Sequence, residues 1–231
     1  MITITDRLAQ TLDRIKLAIN KYQLMPNSVN LLAVSKTKPN ADIICAYHSG
    51  QRDFGENYVQ EAVQKVQSLP SEYQDIVWHF IGPLQSNKTA DVATHFDWVH
   101  TIERDKIARR LNNQRPDLLV PLNVCIQINI SREESKSGVM LDEVDALAEL
   151  INTLPRLTLR GIMAIPSSVK DENKLSAEFE SMQTTFKKLQ TRYPNIDTLS
   201  LGMSNDLDIA IKHGSTMVRI GSAIFGSRST L

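Results

Sequence analysis

The chain has 231 residues, 42% apolar and 23% charged, enough for one or two domains with a sizeable core. Lys plus Arg and Asp plus Glu each number 26, a balance that argues against a nucleic-acid coat or a polybasic membrane binder. The first residues carry no basic flank ahead of an apolar core, and no apolar run nears the roughly 20 residues of a membrane span. With two cysteines, Cys45 and Cys125, too few for a disulfide scaffold or zinc cage, a reduced cytoplasmic protein is expected.

Residues 5–23 place Leu8, Leu12, Ile15, Ile19 and Tyr22 at alternating steps of four and three, which predicts an amphipathic helix ended by Met25-Pro26-Asn27-Ser28. Short β-rich runs follow at 29–34, 52–54, 77–81, 98–101, 122–130, 157–165, 198–201 and 217–220. Helical patterns lie between them, clearest at 144–154 and 175–189, with a shorter one at 207–213. Strands alternating with helices imply parallel βαβ units, and eight such units predict an α/β fold, a single (β/α)8 TIM barrel with an extra N-terminal helix. One domain spanning 1–231 is expected. The rival is an open doubly wound sheet, but the first strand runs into Ser35-Lys36-Thr37-Lys38-Pro39 and lacks the dinucleotide fingerprint.

Barrel active sites lie at the carboxyl ends of the strands. If Leu32 and Val34 point inward, strand alternation turns Lys36 inward at the end of the first strand. Partial desolvation there favours a neutral amine able to form an imine with a carbonyl. The plainer alternative is a lysine that reaches the rim or pairs with a carboxylate. After the last two strands come Ser200-Leu201-Gly202-Met203-Ser204 and Arg219-Ile220-Gly221-Ser222, each a strand, a glycine, a hydroxyl residue and a helix start. Such loops suit a phosphate, or serve only as helix caps. Arg219 has inward parity and needs either a core carboxylate or a ligand atom as partner. Loops at 55–58, 82–88 and 129–138 could line the same mouth or act simply as turns. His79, His95, His100 and His213 lack metal-ligand spacing, the acids Asp206 and Asp208 belong to a helix start, and both cysteines are expected in the core.

A first-strand lysine facing a phosphate site on the last two strands fits pyridoxal 5'-phosphate, an aldehyde that carries a phosphate. The runs Leu32-Ala-Val-Ser-Lys-Thr-Lys-Pro39, Phe54-Gly-Glu-Asn-Tyr58, His79-Phe-Ile-Gly-Pro-Leu-Gln-Ser-Asn-Lys88, Ser200-Leu-Gly-Met-Ser204 and Arg219-Ile-Gly-Ser-Ala-Ile-Phe-Gly226 carry a further signal. From about residue 30 to 228, in order, they closely resemble the pyridoxal phosphate homeostasis protein family, formerly called proline synthase co-transcribed protein. That family's fold is similar to the barrel domain of alanine racemase without its second β domain. The resemblance implies that Lys36 holds the cofactor as an imine (a Schiff base) and that Arg219 faces the pyridine nitrogen. Ser204, Gly221 and Ser222 would form the phosphate cradle with Ser200 close by, and Asn57 and Met163 would line the surroundings of the ring. Leu201 stands where methionine is common in the family and Ser222 where threonine is common; both keep the apolar bulk or the hydroxyl.

The implied role is a monomeric cofactor carrier in vitamin B6 and amino-acid homeostasis, holding pyridoxal phosphate for client enzymes, with no catalytic turnover, no nucleic acid and no membrane. An arginine opposite the ring nitrogen is a poor acid partner, a chain ending at Leu231 leaves no room for a second domain, and racemisation needs bases on both faces of the α-carbon. The alternatives are a pyridoxal phosphate-dependent amino-acid racemase and an imine-forming aldolase acting on a sugar phosphate.

Overall fold

All eight expected strands form and pair in parallel, in chain order, into a closed barrel in the computed structural model. The structure describes residues 2–167 and 171–227, so the expected span of 1–231 and the motif match to residue 228 extend beyond the described residues. In chain order the elements begin with α1 (Ile4–Lys21), β1 (Asn30–Val34), α2 (Asn40–His48), β2 (Asp53–Glu56), α3 (Val59–Ser68), β3 (Val77–Phe80), α4 (Thr89–His95) and β4 (Trp98–Ile102). They continue with α5 (Asp105–Gln114), β5 (Leu122–Ile128), α6 (Val144–Asn152), β6 (Leu157–Ala164), α7 (Glu172–Arg192), β7 (Thr198–Ser200), α8 (Leu207–Lys212), β8 (Met217–Ile220) and α9 (Ser222–Phe225). Closure comes from β1 on β8, where Leu32 pairs with Arg219 and Ala33 with Ile220.

Strand alternation divides the buried residues into two sets. Leu31, Ala33, Phe54, Phe80, Val99, Val124 and their equivalents face the helices and form the main core with α1 to α9. Trp98, Cys125 and Met163 form a separate cluster inside the barrel. Leu32 is fully buried yet stands apart from the helix-facing core, as inward parity requires. Gly55 also faces the interior: a Cβ there would come within 3.1 Å of Ile81 Cδ1 and 3.3 Å of Leu32 Cγ.

Three local expectations change. β5 stops at Ile128 rather than residue 130 because the Asn129 amide donates to the carbonyls of Glu133 and Lys136, folding the chain back so that Val139 bridges Ile128. On α1 the buried residues are Leu8, Thr11, Ile15, Ala18 and Ile19, while Leu12 is 44% exposed. The helix packs against α2, α8 and α9 through a stripe that includes the small Thr11 and Ala18, so Leu12 falls on its edge. Cys125 is a core residue as expected, but Cys45 on α2 is only half-buried, its Sγ 3.9 Å from Thr5 Oγ1. Among the described residues no helix is long and apolar enough to cross a membrane.

Candidate functional site

Lys36 leaves β1 in a turn pinned from several sides. Ser35 N–H donates to Gly55 O at 3.0 Å and Lys38 N–H to Ser35 O at 3.0 Å, closing the turn around it. Thr37 sits at φ +64°, a left-handed conformation that a β-branched residue resists, and its N–H donates to Glu61 Oε1 at 2.5 Å. Beneath lies a buried ion cluster: Lys65 Nζ donates to Ser35 O at 2.9 Å and to Glu56 Oε1 at 2.7 Å, with Glu61 Oε1 at 2.6 Å. Burial pushes the Glu56 carboxyl above its ordinary value, opposed by Lys65. Backbone strain held by buried charges immobilises the segment that presents Lys36.

The loops after β7 and β8 are also built for close approach. Gly202 takes φ +92°, and a Cβ there would lie 2.6 Å from the Ala210 methyl. The turn that follows is closed by Met203 N–H donating to Asp206 Oδ1 at 2.6 Å and by Arg14 on α1 donating to Ser204 O at 2.7 Å. Asp208 lies in the first turn of α8, as expected of an acid at a helix start, and also pairs with Arg14 at 2.5 Å. At Gly221 a Cβ would come within 3.2 Å of Val34 O, so this loop lies directly on the end of β1. The N–H groups of Ser222 and Ala223, which open α9, have no acceptor within the helix.

Arg219, on β8, reaches across the interior. Its Nη1 donates to Ser200 O at 2.7 Å and Ser200 Oγ at 2.8 Å, and its Nη2 to Ala164 O at 2.9 Å. Among the described residues no core carboxylate bonds it; the bonds go to carbonyl and hydroxyl oxygens. Burial lowers its pKa to about 10, which leaves it cationic at neutral pH.

These elements open on one cavity of about 800 Å³ at the carboxyl end of the barrel. Lys36, Asn57, Met163 and Arg219 line it together with Ser204, Gly221 and Ser222. Ser200 does not: it is fully buried behind Arg219, where it accepts the guanidinium. Asn57 Oδ1 is buried without a partner among the described residues. Other residues of the lining fall outside the expected set, among them two lysines and an aspartate held by protein atoms. Lys38 Nζ donates to Ser227 O, Lys136 Nζ to Glu133 Oε1 and Pro166 O, and Asp206 accepts from Met203. The sequence signal for Lys136 was its place in the loop after the fifth strand. Also unforeseen is a contact between His79 and His100, set aside earlier for lack of metal spacing; among the described residues no group of three or more His, Cys, Asp or Glu could hold a metal ion.

A cavity at the carboxyl mouth of a parallel barrel, with a lysine from the first strand and glycine loops after the last two, defines the alanine-racemase type of barrel. The family described as alanine racemase, N-terminal domain, matches residues 10–229. Proteins named pyridoxal phosphate homeostasis protein from Vibrio alginolyticus and Escherichia coli K12 are each 56% identical, covering 99% of this chain and 99% and 98% of their own. The chain belongs to the pyridoxal phosphate homeostasis protein family. PipY of Synechococcus elongatus PCC7942 is 34% identical and covers 97% of this chain and 100% of its own; its structures without and with PLP give TM-scores of 0.86 and 0.79. Alanine racemase of Clostridium difficile 630, at 15% identity and TM-score 0.69 over 94% of this chain and 57% of its own, shares the fold.

Proposed function

We propose that this protein is a cytoplasmic, monomeric carrier of pyridoxal 5'-phosphate that holds the cofactor through an imine to Lys36 and serves vitamin B6 and amino-acid homeostasis without catalytic turnover. The observation that carries the reading is the shared cavity: Lys36 and Arg219 face it from adjacent strands, and the Ser204 and Gly221-Ser222 loops face it from the ends of β7 and β8. The fit is good on three further counts. The volume suits a small cofactor. Asn57 Oδ1 is a buried acceptor lacking a partner among the described residues, and Gly221 lets the loop after β8 lie against Val34 at the rim of the cavity. A structure of PipY, a relative of nearly equal length, has PLP bound.

When bound, the cofactor supplies an aldehyde for the imine and a ring that can withdraw electrons. Lys36 contributes the amine, and the condensation releases one water. Arg219 donates to the ring nitrogen and, being cationic, disfavours its protonation, which weakens the ring as an electron sink. Ser204, Ser222 and the first N–H groups of α9 bind the phosphate. Lys38, Lys136 and Asp206 are each tied to protein atoms, an arrangement that suits holding better than proton abstraction.

Two measurements on the purified protein test this. Added pyridoxal phosphate should produce a visible absorption band that Lys36→Ala abolishes. In deuterated water with several L-amino acids, no α-deuterium should be incorporated above the rate with free cofactor. Incorporation with turnover, lost in Lys36→Ala, would make the protein an enzyme.

A further inference from the structure

The barrel interior holds a line of polar side chains that the cavity itself does not require. Arg219 Nη1 lies 2.8 Å from Ser200 Oγ, Ser200 Oγ 3.3 Å from His100 Nδ1, His100 Nε2 3.0 Å from His79 Nδ1, and His79 Nε2 2.9 Å from Asp53 Oδ1. His79, His100 and Ser200 are fully buried, and only Asp53, at the amino end of β2, has a side chain 37% exposed. The line crosses from β2 through β3 and β4 to β7 and β8, so it joins solvent at the amino end of the barrel to the wall of the cavity at the carboxyl end. His79 is stacked on Trp98 at 5.2 Å and 11°, which fixes its ring plane.

Donor accounting gives the line a direction. The guanidinium can only donate, so Ser200 Oγ accepts from it, and the Asp53 carboxylate can only accept, so His79 donates to it from Nε2. With one proton on each ring, His79 Nδ1 accepts from His100 Nε2, and His100 Nδ1 accepts from the Ser200 hydroxyl. Burial, with His79 and Arg219 as neighbours, holds the His100 pKa well below its ordinary value, in keeping with a neutral ring. The other titratable groups that act on Arg219 are Asp206 and Cys125, and both favour its charge. Every bond in the series points the same way, from a cation to an anion, an order in which each link polarises the next.

We propose that Asp53, His79 and His100 are positioning residues which, with Ser200, form a one-way hydrogen-bond relay that holds Arg219 cationic and turned toward the cavity. The relay exists in the unliganded protein; its effect on the cofactor ring rests on the proposed function. Among the described residues Arg219 bonds Ser200 O, Ser200 Oγ and Ala164 O, so a Ser200 hydroxyl turned away removes the side-chain restraint on the guanidinium.

Imidazole 15N spectra of the unliganded protein at pH 7 test the direction. His100 should be neutral with its proton on Nε2, and His79 should carry a proton on Nε2; a proton on Nδ1 of His100 overturns the relay. The consequence is tested with pyridoxal phosphate as the probe. His100→Phe keeps a ring but loses both bonds. A displaced guanidinium then opposes protonation less, so the pH midpoint of the bound visible band should rise by about one unit. His100→Gln offers an acceptor and a donor and should restore the midpoint, which a merely space-filling role would not require. Ser200→Ala cuts the line at a different bond with a small change of volume and should shift the midpoint in the same direction, even if the Phe variant fails to fold. Wild-type midpoints in both His100→Phe and Ser200→Ala would overturn the proposal. Failure of the wild type to form any band would defeat the proposed function while leaving the 15N result on the relay standing.

Discussion

Lys65 is 8% exposed at its side chain and serves two carboxylates and one carbonyl at once, so its removal reaches further than one lost ion pair. Lys65→Met leaves Glu56, which is fully buried, without its cation, and a buried pair broken on one side costs about 3–5 kcal/mol. Urea unfolding should show a loss of that order, and the double variant with Glu56→Gln should recover much of it. A loss below about 1 kcal/mol would mean the cluster is solvated. Little of this cluster is legible in the sequence. Parity identifies Lys36 as inward, but Glu56, Glu61 and Lys65 read as a turn and an ordinary helix face until β2 and α3 are folded beside β1.

At the level of elements, α1 does more than extend the barrel. Arg14 bonds Ser204 O and Asp208, so the helix braces the loop after β7, and it packs against α9, which follows the loop after β8. Arg14 is 44% exposed at its side chain, so Arg14→Met should cost under about 1 kcal/mol of stability. Retention of pyridoxal phosphate should nevertheless fall about fivefold, the equivalent of about 1 kcal/mol, with little change for unphosphorylated pyridoxal. On the proposed reading Ser204 and Ser222 would bind the phosphate directly, each through a charge-assisted bond of about 1.5–3 kcal/mol, so changing both to alanine should weaken retention more than Arg14→Met does. Equal retention of the phosphorylated and unphosphorylated aldehydes by the wild type would place the phosphate elsewhere. The helix itself was legible from its periodicity, but its buried face was not. Centred on Leu8, Thr11, Ile15 and Ala18, the stripe leaves Leu12 roughly 80° away at 100° per residue, because close packing on α8 and α9 selects small residues over the larger Leu12.

Across the whole molecule, the barrel was readable because eight β-rich runs alternate with helical ones, and each strand end falls within two residues of its expected place. The interior line from Asp53 to Arg219 was not readable: its members are 26, 21, 100 and 19 residues apart in sequence and meet only on closure of the sheet. The inward parity of His79 and His100 on neighbouring strands is the one signal of it that the sequence carries. His100 also gives the molecule a pH response. Its folded pKa lies well below the ordinary value, so between the two values the unfolded chain binds the extra proton and stability falls as pH drops below about 6.5. Unfolding midpoints at pH 5 should lie below those at pH 7.5, with a smaller difference in His100→Gln; an unchanged difference would show that His100 is not the source. The central claim is that Lys36, and no other lysine of the cavity, holds the cofactor. Borohydride reduction of the protein loaded with pyridoxal phosphate, followed by peptide mapping, should place the cofactor on Lys36; recovery of the label on Lys38 or Lys136 in its stead would contradict the account.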